Sequence, residues 1–196
     1  MAHPFEIARA DEFLALLGAR LPDKTLNHSI SVAEFLRSFS DAAGITDEQA
    51  TTAGLLHDLC KAMQADELLA GARTHGLELT PLQREKPTLL HGPMAAEECR
   101  GDLGIDDEAV IEAIRWHTTG RPEWGRVGLA LYVADFAEPL RTIPEAAEAR
   151  TVLGEKGFDA AVRFVADRKL AYVRERFTPD PMSEAFADWL AQKEAL

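Results

Sequence analysis

Cysteine is nearly missing from this sequence: Cys60 and Cys99 are the only two in 196 residues, and they stand in no paired spacing. That usage argues against a disulfide framework and points to reduced thiols in a cytoplasmic protein. Positive charge is also scarce. With 21 Lys and Arg against 33 Asp and Glu, the formal net charge is −12. Sequence-independent binding to nucleic acid or to an anionic membrane surface needs a basic face, so both are excluded as primary functions. Any anionic ligand must be held by local positive charge or by metal. Long apolar runs are lacking too. Stretches such as Leu14 to Leu17 and Val127 to Ala134 fall far short of the roughly 20 residues a membrane-spanning helix needs. Glu6, Arg9, Asp11 and Glu12 interrupt the first 20 residues, which rules out the apolar core of a secretory signal there. Runs of β-branched residues, internal repeats and low-complexity tracts are absent as well.

What remains is ordinary globular composition, 46% apolar and 28% charged, in a length that suits one domain spanning residues 1–196. Ala, Leu, Glu and Arg dominate, and apolar residues recur at three- and four-residue spacing, so the expected class is all-α, a helical bundle. A first helix is expected from Pro4 to Arg20, closed by Pro22. A second runs from about Thr25 to Ala43 and ends at Gly44; Val32, Phe35, Leu36 and Phe39 form its apolar stripe. Thr46 with Gln49 has the form of a capping box and opens a third helix reaching about Lys61. A fourth spans about Gln64 to His75. Leu77 to Leu90, with Pro81 and Pro87, reads as a long surface loop. Gly92-Pro93 starts a fifth helix, Asp106 or Asp107 caps a sixth that ends near His117, and an apolar helix runs from Val127 to Glu138. Further helices at Pro144 to Leu153, Phe158 to Arg176 and Met182 to Glu194 are expected to pack, from about 144 onward, on the same core.

The chemistry gathers in four of the six histidines and two aspartates: His28, His57-Asp58, His91, His117 and Asp135. The buried-looking run Ala53-Gly54-Leu55-Leu56 leads straight into His57-Asp58, two adjacent metal-competent side chains. Neighbours on a helix diverge by about 100°, yet near a helix end both can reach one ion, or the carboxylate can bridge two. Taken alone, the doublet reads better as a helix C-terminus with a histidine at the dipole end. His28 lies on the apolar face that carries Val32 and Phe35, where a lone core histidine is the simpler reading. Asp135 is harder to dismiss: a carboxylate between Leu129 to Ala134 and Phe136-Ala137 needs a cation or strong hydrogen bonds if buried. His91 and His117 stand at helix ends and could each be ordinary end residues. All six together form an imidazole and carboxylate set suited to Fe, Mn, Zn and similar ions. His3 and His75 have no partners in sequence and read as surface residues. Trp116, Trp124, Tyr132 and Phe136 could stack on a purine, but aromatic residues at such spacing are more often core.

The order His28, His57-Asp58, Asp135 resembles the metal-binding signature of the HD-domain phosphohydrolases, an all-helical superfamily. More narrowly, the sequence resembles the YqeK-type family. The strings that carry this are Leu26-Asn27-His28-Ser29, Gly54 to Lys61, Leu90-His91-Gly92-Pro93, Ile114 to Pro122 and Tyr132 to Pro139. The resemblance covers roughly residues 10 to 190, and the His117-Thr118-Thr119-Gly120-Arg121-Pro122 string is its most specific part together with Ala134-Asp135-x-x-Glu138-Pro139. Departures from the family pattern are Leu140 between Pro139 and Arg141, Ala95 where glycine is common, and Lys24 near where arginine is usual. None falls on a candidate ligand.

The resemblance implies symmetrical hydrolysis of diadenosine tetraphosphate to two ADP by a centre of two transition-metal ions, iron in the family, with Mn or another divalent ion as alternatives. It implies that His28, His57, Asp58 and Asp135 hold one ion and His91 and His117 the other, with Asp58 bridging. A hydroxide shared by the two ions is then the nucleophile, and no serine or cysteine is needed. Lys61, one turn after Asp58, is placed to neutralise charge on a phosphate or leaving oxygen. Thr118, Thr119 and Gly120 offer hydroxyls and backbone amides, and Arg121 and Arg141 offer planar forks, as substrate contacts. Arg84 and Lys86 could carry charge on a lid. Two other readings stay open: a nucleotidase or phosphodiesterase on another nucleotide, and a nucleotide-sensing module without catalysis. Oligomeric state is not legible.

Overall fold

Local capping chemistry sets the helix boundaries in this protein, whose computed structural model describes Phe5 and residues 7–196. In order the helices are α1 (Ala10–Arg20), α2 (Asp23–Ser38), α3 (Ser40–Ala43), α4 (Asp47–Leu56), α5 (Ala65–Thr74), α6 (Pro81–Glu85), α7 (His91–Gly101), α8 (Glu108–Trp116), α9 (Arg126–Ala137), α10 (Pro144–Lys156), α11 (Phe158–Arg176) and α12 (Pro181–Gln192). A 3-10 turn, Pro87–Leu90, leads into α7, and no strand occurs among the described residues. The expected all-α class is what is found. None of the helices is long and apolar enough to cross a membrane.

Thr46 opens α4 through the anticipated capping box: its hydroxyl accepts from the Gln49 N–H, and the Gln49 side chain accepts from the Thr46 N–H, both at 3.1 Å. Asp107 caps α8 by accepting from the N–H groups of Ala109 and Val110. Four boundaries differ from expectation. The first helix starts at Ala10, and Pro4 lies outside the described residues, as does His3. The single helix expected over 25–43 breaks at Phe39, because Ser38 and Ser40 turn their hydroxyls back onto the carbonyls of Phe35 and Arg37 and compete with the helical ladder. The helix expected to reach Lys61 stops at Leu56. From there the chain tightens into three-residue turns, with N–H groups of Leu59, Lys61 and Met63 donating to Leu56, Asp58 and Cys60. Finally, 77–90 is no bare loop. Thr80 and Gln83 form a capping box over Pro81 and start α6.

Two stretches sit at the centre, buried on every side: every residue from Ala50 to Cys60 and from Val127 to Ala134 is buried. α2 crosses α4 at very short range. A Cβ on Gly54 would stand 2.5 Å from Ala33 Cα, so only glycine allows this approach. The C-terminal helices share the same hydrophobic cluster through Phe158, Val162, Val165, Phe186 and Leu190. Cys60 and Cys99 are buried and free.

Candidate metal centre

Five elements converge on one spot. α2 brings His28, the end of α4 brings His57 and Asp58, α7 starts with His91, His117 caps the end of α8, and α9 carries Asp135. His57, Asp58, His91 and His117 are all buried. The helix ends do the positioning. His57, His91 and His117 each donate Nδ1–H to the carbonyl three residues earlier, Gly54 at 2.8 Å, Thr88 at 2.6 Å and Ile114 at 2.8 Å. A carbonyl only accepts, so each ring carries its proton on Nδ1 and presents a bare Nε2 lone pair inward.

Those lone pairs meet other acceptors. His91 Nε2 stands 3.0 Å from His117 Nε2, and Asp58 Oδ1 lies 3.2 and 3.4 Å from them. Nε2 of His57 is buried with no hydrogen-bond partner, 3.7 Å from Asp58 Oδ2 and 4.0 Å from Asp135 Oδ1. A buried acceptor without a donor, as at His57 Nε2, is costly unless a cation takes its electron pair. Ligand atoms of His28, His57 and Asp58 form one group that could hold a metal ion, and those of Asp58, His91 and His117 form another. Asp135 joins the first group, since its Oδ1 is 3.1 Å from His28 Nε2. The donor set of imidazoles and carboxylates suits a divalent transition ion, so the residues present fit such a group.

Electrostatics agree with ligation. Burial pushes the His57 pKa down to about 3, so its imidazole is neutral. Burial and the neighbouring His117 and Lys61 also lower the pKa of His91, against the pull of Asp58. Burial works to raise the pKa of Asp58, but the close imidazoles of His57, His117 and His91 and the Lys61 ammonium hold it well below the ordinary carboxylate range. At Asp135 burial is likewise overcome, by the hydrogen bond from His28 and by Lys169. His28 alone moves up: burial lowers it, but the Asp135 and Glu138 carboxylates outweigh that.

Lys61 leans over the second group, with Nζ 3.4 Å from Asp58 Oδ1 and 3.1 Å from His91 Nε2. The Thr118 hydroxyl is 3.2 Å from His117 Nε2. Arg141 reaches inward, its Nη2 3.0 Å from Asp135 Oδ1, and the Leu140 insertion is accommodated by a turn in which the Leu140 N–H donates to Glu138 at 2.6 Å. Thr119 and Arg121 make no contact with the ligand residues. The Thr119 hydroxyl bonds the Gly120 carbonyl, and Arg121 pairs with Glu112 and lies over the Trp116 ring. Gly120 has φ +71°, and a Cβ there would meet the Phe186 ring at 2.3 Å, so its place is fixed by packing as well as by backbone. Arg84 and Lys86 sit on the α6 segment, with Lys86 over the Phe177 ring. Trp124 and Tyr132 pack with Phe186 in the core.

Two contributors escaped the sequence reading. Glu138 is buried and accepts from His28 Nδ1, Ser31 Oγ and the Leu140 N–H at 3.1, 2.5 and 2.6 Å, so it orients His28 from behind. Its place three residues after Asp135 was a usable signal. Lys169 of α11 donates to the His117 carbonyl at 3.3 Å, stands 3.9 Å from Asp135 Oδ2 and caps the Tyr132 ring; burial takes its pKa down to about 8. No local pattern marks it.

An all-helical bundle with a His-Asp doublet at the end of a central helix, completed by histidines and an aspartate from four other elements, has the architecture of the HD superfamily. The HD domain family model matches residues 25–153. Symmetrical bis(5'-nucleosyl)-tetraphosphatases from Staphylococcus aureus and Halalkalibacterium halodurans are 30% and 32% identical to this chain, over 80% and 70% of it and 81% and 73% of their own lengths. A third from Bacillus subtilis is 30% identical over 71% of this chain and 75% of its own. A crystal structure from Clostridium acetobutylicum, named as a predicted HD superfamily hydrolase involved in NAD metabolism, superposes with a TM-score of 0.87 at 27% identity, covering 92% of this chain and 96% of that one. The chain therefore belongs to the HD-domain family and, within it, to the group formed by these tetraphosphatase relatives.

Proposed function

We propose that this chain is a cytoplasmic metal-dependent phosphohydrolase that splits diadenosine tetraphosphate symmetrically into two ADP. The observation that carries the reading is the pair of ligand groups sharing Asp58, built from Nε2 lone pairs that the local backbone aims inward. The substrate assignment is supported by relatives named for that reaction over most of their length. Residues 1–196 act as one HD-domain unit, with the helices from about 144 onward backing the centre.

In this reading His28, His57, Asp58 and Asp135 hold one ion, and His91 and His117 the second, with Asp58 common to both. Iron is the favoured metal, with Mn or another divalent ion as alternatives. Two such ions, when bound, supply an activated water at neutral pH and Lewis acidity toward phosphoryl oxygens. The protein's residues do the rest. Carbonyl-anchored histidines keep their tautomers and cannot drift. Lys61, with its side chain 48% exposed beside buried Asp58, meets the phosphate chain at the mouth and offsets charge on the oxygen that leaves. Arg141 offers a second cation on the Asp135 side, and the Thr118 hydroxyl donates to a phosphoryl oxygen. Thr119, the Gly120 backbone and Arg121 extend the contacts along the chain, Arg121 by exchanging Glu112 for phosphate. Water adds to a central phosphorus, the bridging P–O bond breaks, and one ADP departs from each half.

The test is chromatography of an early time point with metal-loaded protein. ADP as sole product supports the reading; AMP plus ATP requires an asymmetric register. Absence of cleavage moves the assignment to a nucleotidase or phosphodiesterase on another nucleotide, or to a nucleotide-sensing module.

A further inference from the structure

The two groups that share Asp58 differ in what already occupies their electron pairs. In the first, His57 Nε2 has no hydrogen-bond partner, and His28 Nε2 donates to Asp135, itself a ligand candidate, so an entering ion displaces one proton there. In the second, both nitrogens are engaged. Lys61 Nζ lies 3.1 Å from His91 Nε2, and the Thr118 hydroxyl lies 3.4 Å from that atom and 3.2 Å from His117 Nε2. An ion entering there must displace an ammonium and a hydroxyl.

Charge and ligand number point the same way. The first group has Asp58 and Asp135 as ligands and the Glu138 carboxylate behind His28, against the cations Arg141 and Lys169. Arg141 and Lys61 are 42% and 48% exposed in their side chains, so solvent screens both, and the two further carboxylates of the first group decide the comparison. The second group has only the shared Asp58 carboxylate, and Lys61 stands 3.4 Å from it. A carboxylate behind a histidine raises its basicity as a ligand, whereas His91 and His117 are backed by neutral carbonyls.

We infer that the two ion sites are unequal and fill in order, the His28 side first, and that Lys61 sets the weakness of the second by competing for His91 Nε2 and Asp58. The inference rests on the dinuclear reading above and concerns occupancy, not turnover. Lys61 therefore has two tasks that share one atom: its ammonium rests on His91 Nε2 and leaves it when an ion arrives, free to meet phosphate.

The experiment titrates chelated, metal-free full-length protein with Mn²⁺, reading free Mn²⁺ by EPR and heats by calorimetry, with no substrate present. The wild type should show two classes whose dissociation constants differ at least tenfold. Lys61→Met and Lys61→Gln should each tighten the weaker class about tenfold or more and leave the tighter one within threefold. Glu138→Gln should weaken the tighter class, with folding checked by circular dichroism. Two equal classes in the wild type, a weaker class unmoved by both Lys61 variants, or Lys61 variants that weaken it, each overturn the inference. A single ion bound in wild type and Lys61 variants alike overturns the dinuclear reading itself. Because no activity is read, a wrong substrate assignment would leave these results intact.

Discussion

A histidine at a helix end can satisfy Nδ1 on the carbonyl one turn back, and three of the ligand candidates do so, at Gly54, Thr88 and Ile114. This makes the division of labour between Asp58 and Lys61 testable. Asp58→Ala removes the one carboxylate common to both groups, so metal content should fall to near zero by elemental analysis. Lys61→Ala should keep its metal and lose turnover by about 10²-fold, the scale of one lost electrostatic stabiliser. Equal metal loss in both would make Lys61 structural. Protonation gives a second prediction, for the metal-free protein. His57 and His91 have folded pKa values below the ordinary 6.5, so the unfolded chain takes up their protons first and stability falls as pH drops below about 6.5. His28, raised, works in the opposite sense: its contribution is present below that value and is lost as pH rises through its folded pKa. Below about 6.5 His28 is protonated in both states and adds no slope, so His57 alone supplies about one proton, about 1.4 kcal/mol per pH unit between about pH 6 and 4, and His91 adds to it in the same sense. Denaturant melts at stepped pH would read it, and a flat profile across that window would refute it.

At the scale of elements, Gly54 joins fold and site. Its missing side chain lets α2 lie against α4, and its carbonyl anchors His57. Gly54→Ala puts a methyl 2.5 Å from Ala33 Cα, which is backbone and cannot swing aside. The two helices must part, so we expect a loss of about 1–3 kcal/mol in urea melts and weaker metal binding, because His28 and His57 ride on opposite sides of the contact. Unchanged stability would mean that α2 relaxes freely. The same scale shows what the sequence disclosed. Periodicity and caps placed the helices, and the six ligand candidates were legible because they interrupt apolar stretches, four of them at helix ends and His28 and Asp135 within α2 and α9. α6 is the exception: Pro81 and Pro87 suggest a loop, whereas Pro81 stands at the first helical position behind the Thr80 to Gln83 capping box. The break at Phe39 was not legible, because two serine hydroxyls compete there with an otherwise helical pattern. Lys169 was out of reach: it meets His117 from 52 residues away, and only tertiary packing makes that contact.

For the whole molecule the centre is also a fastening. Its candidate ligands come from α2, the end of α4, the start of α7, the end of α8 and α9, so whatever holds them together ties most of the bundle at one point. In a chain of net charge −12, stripping cations leaves Asp58, Asp135 and Glu138 close together, balanced by Lys61, Arg141, Lys169 and His28. Ligand atoms that a cation would satisfy then face one another, so the chelated protein should be the less stable form. An ion present at about 100 times its dissociation constant, and bound only by the folded state, adds about 2.7 kcal/mol. For a domain of this size that is a shift in Tm of about 5–10 °C. Differential scanning calorimetry of the chelated protein, with and without added Mn²⁺, should show that rise. It should also show the rise growing with ion concentration, as linkage requires, whereas a generic salt effect would be reproduced by Na⁺ at equal ionic strength. Asp58→Ala should melt at one temperature in both conditions. If it gains as much as the wild type on adding Mn²⁺, the ion is stabilising the bundle from somewhere other than this centre.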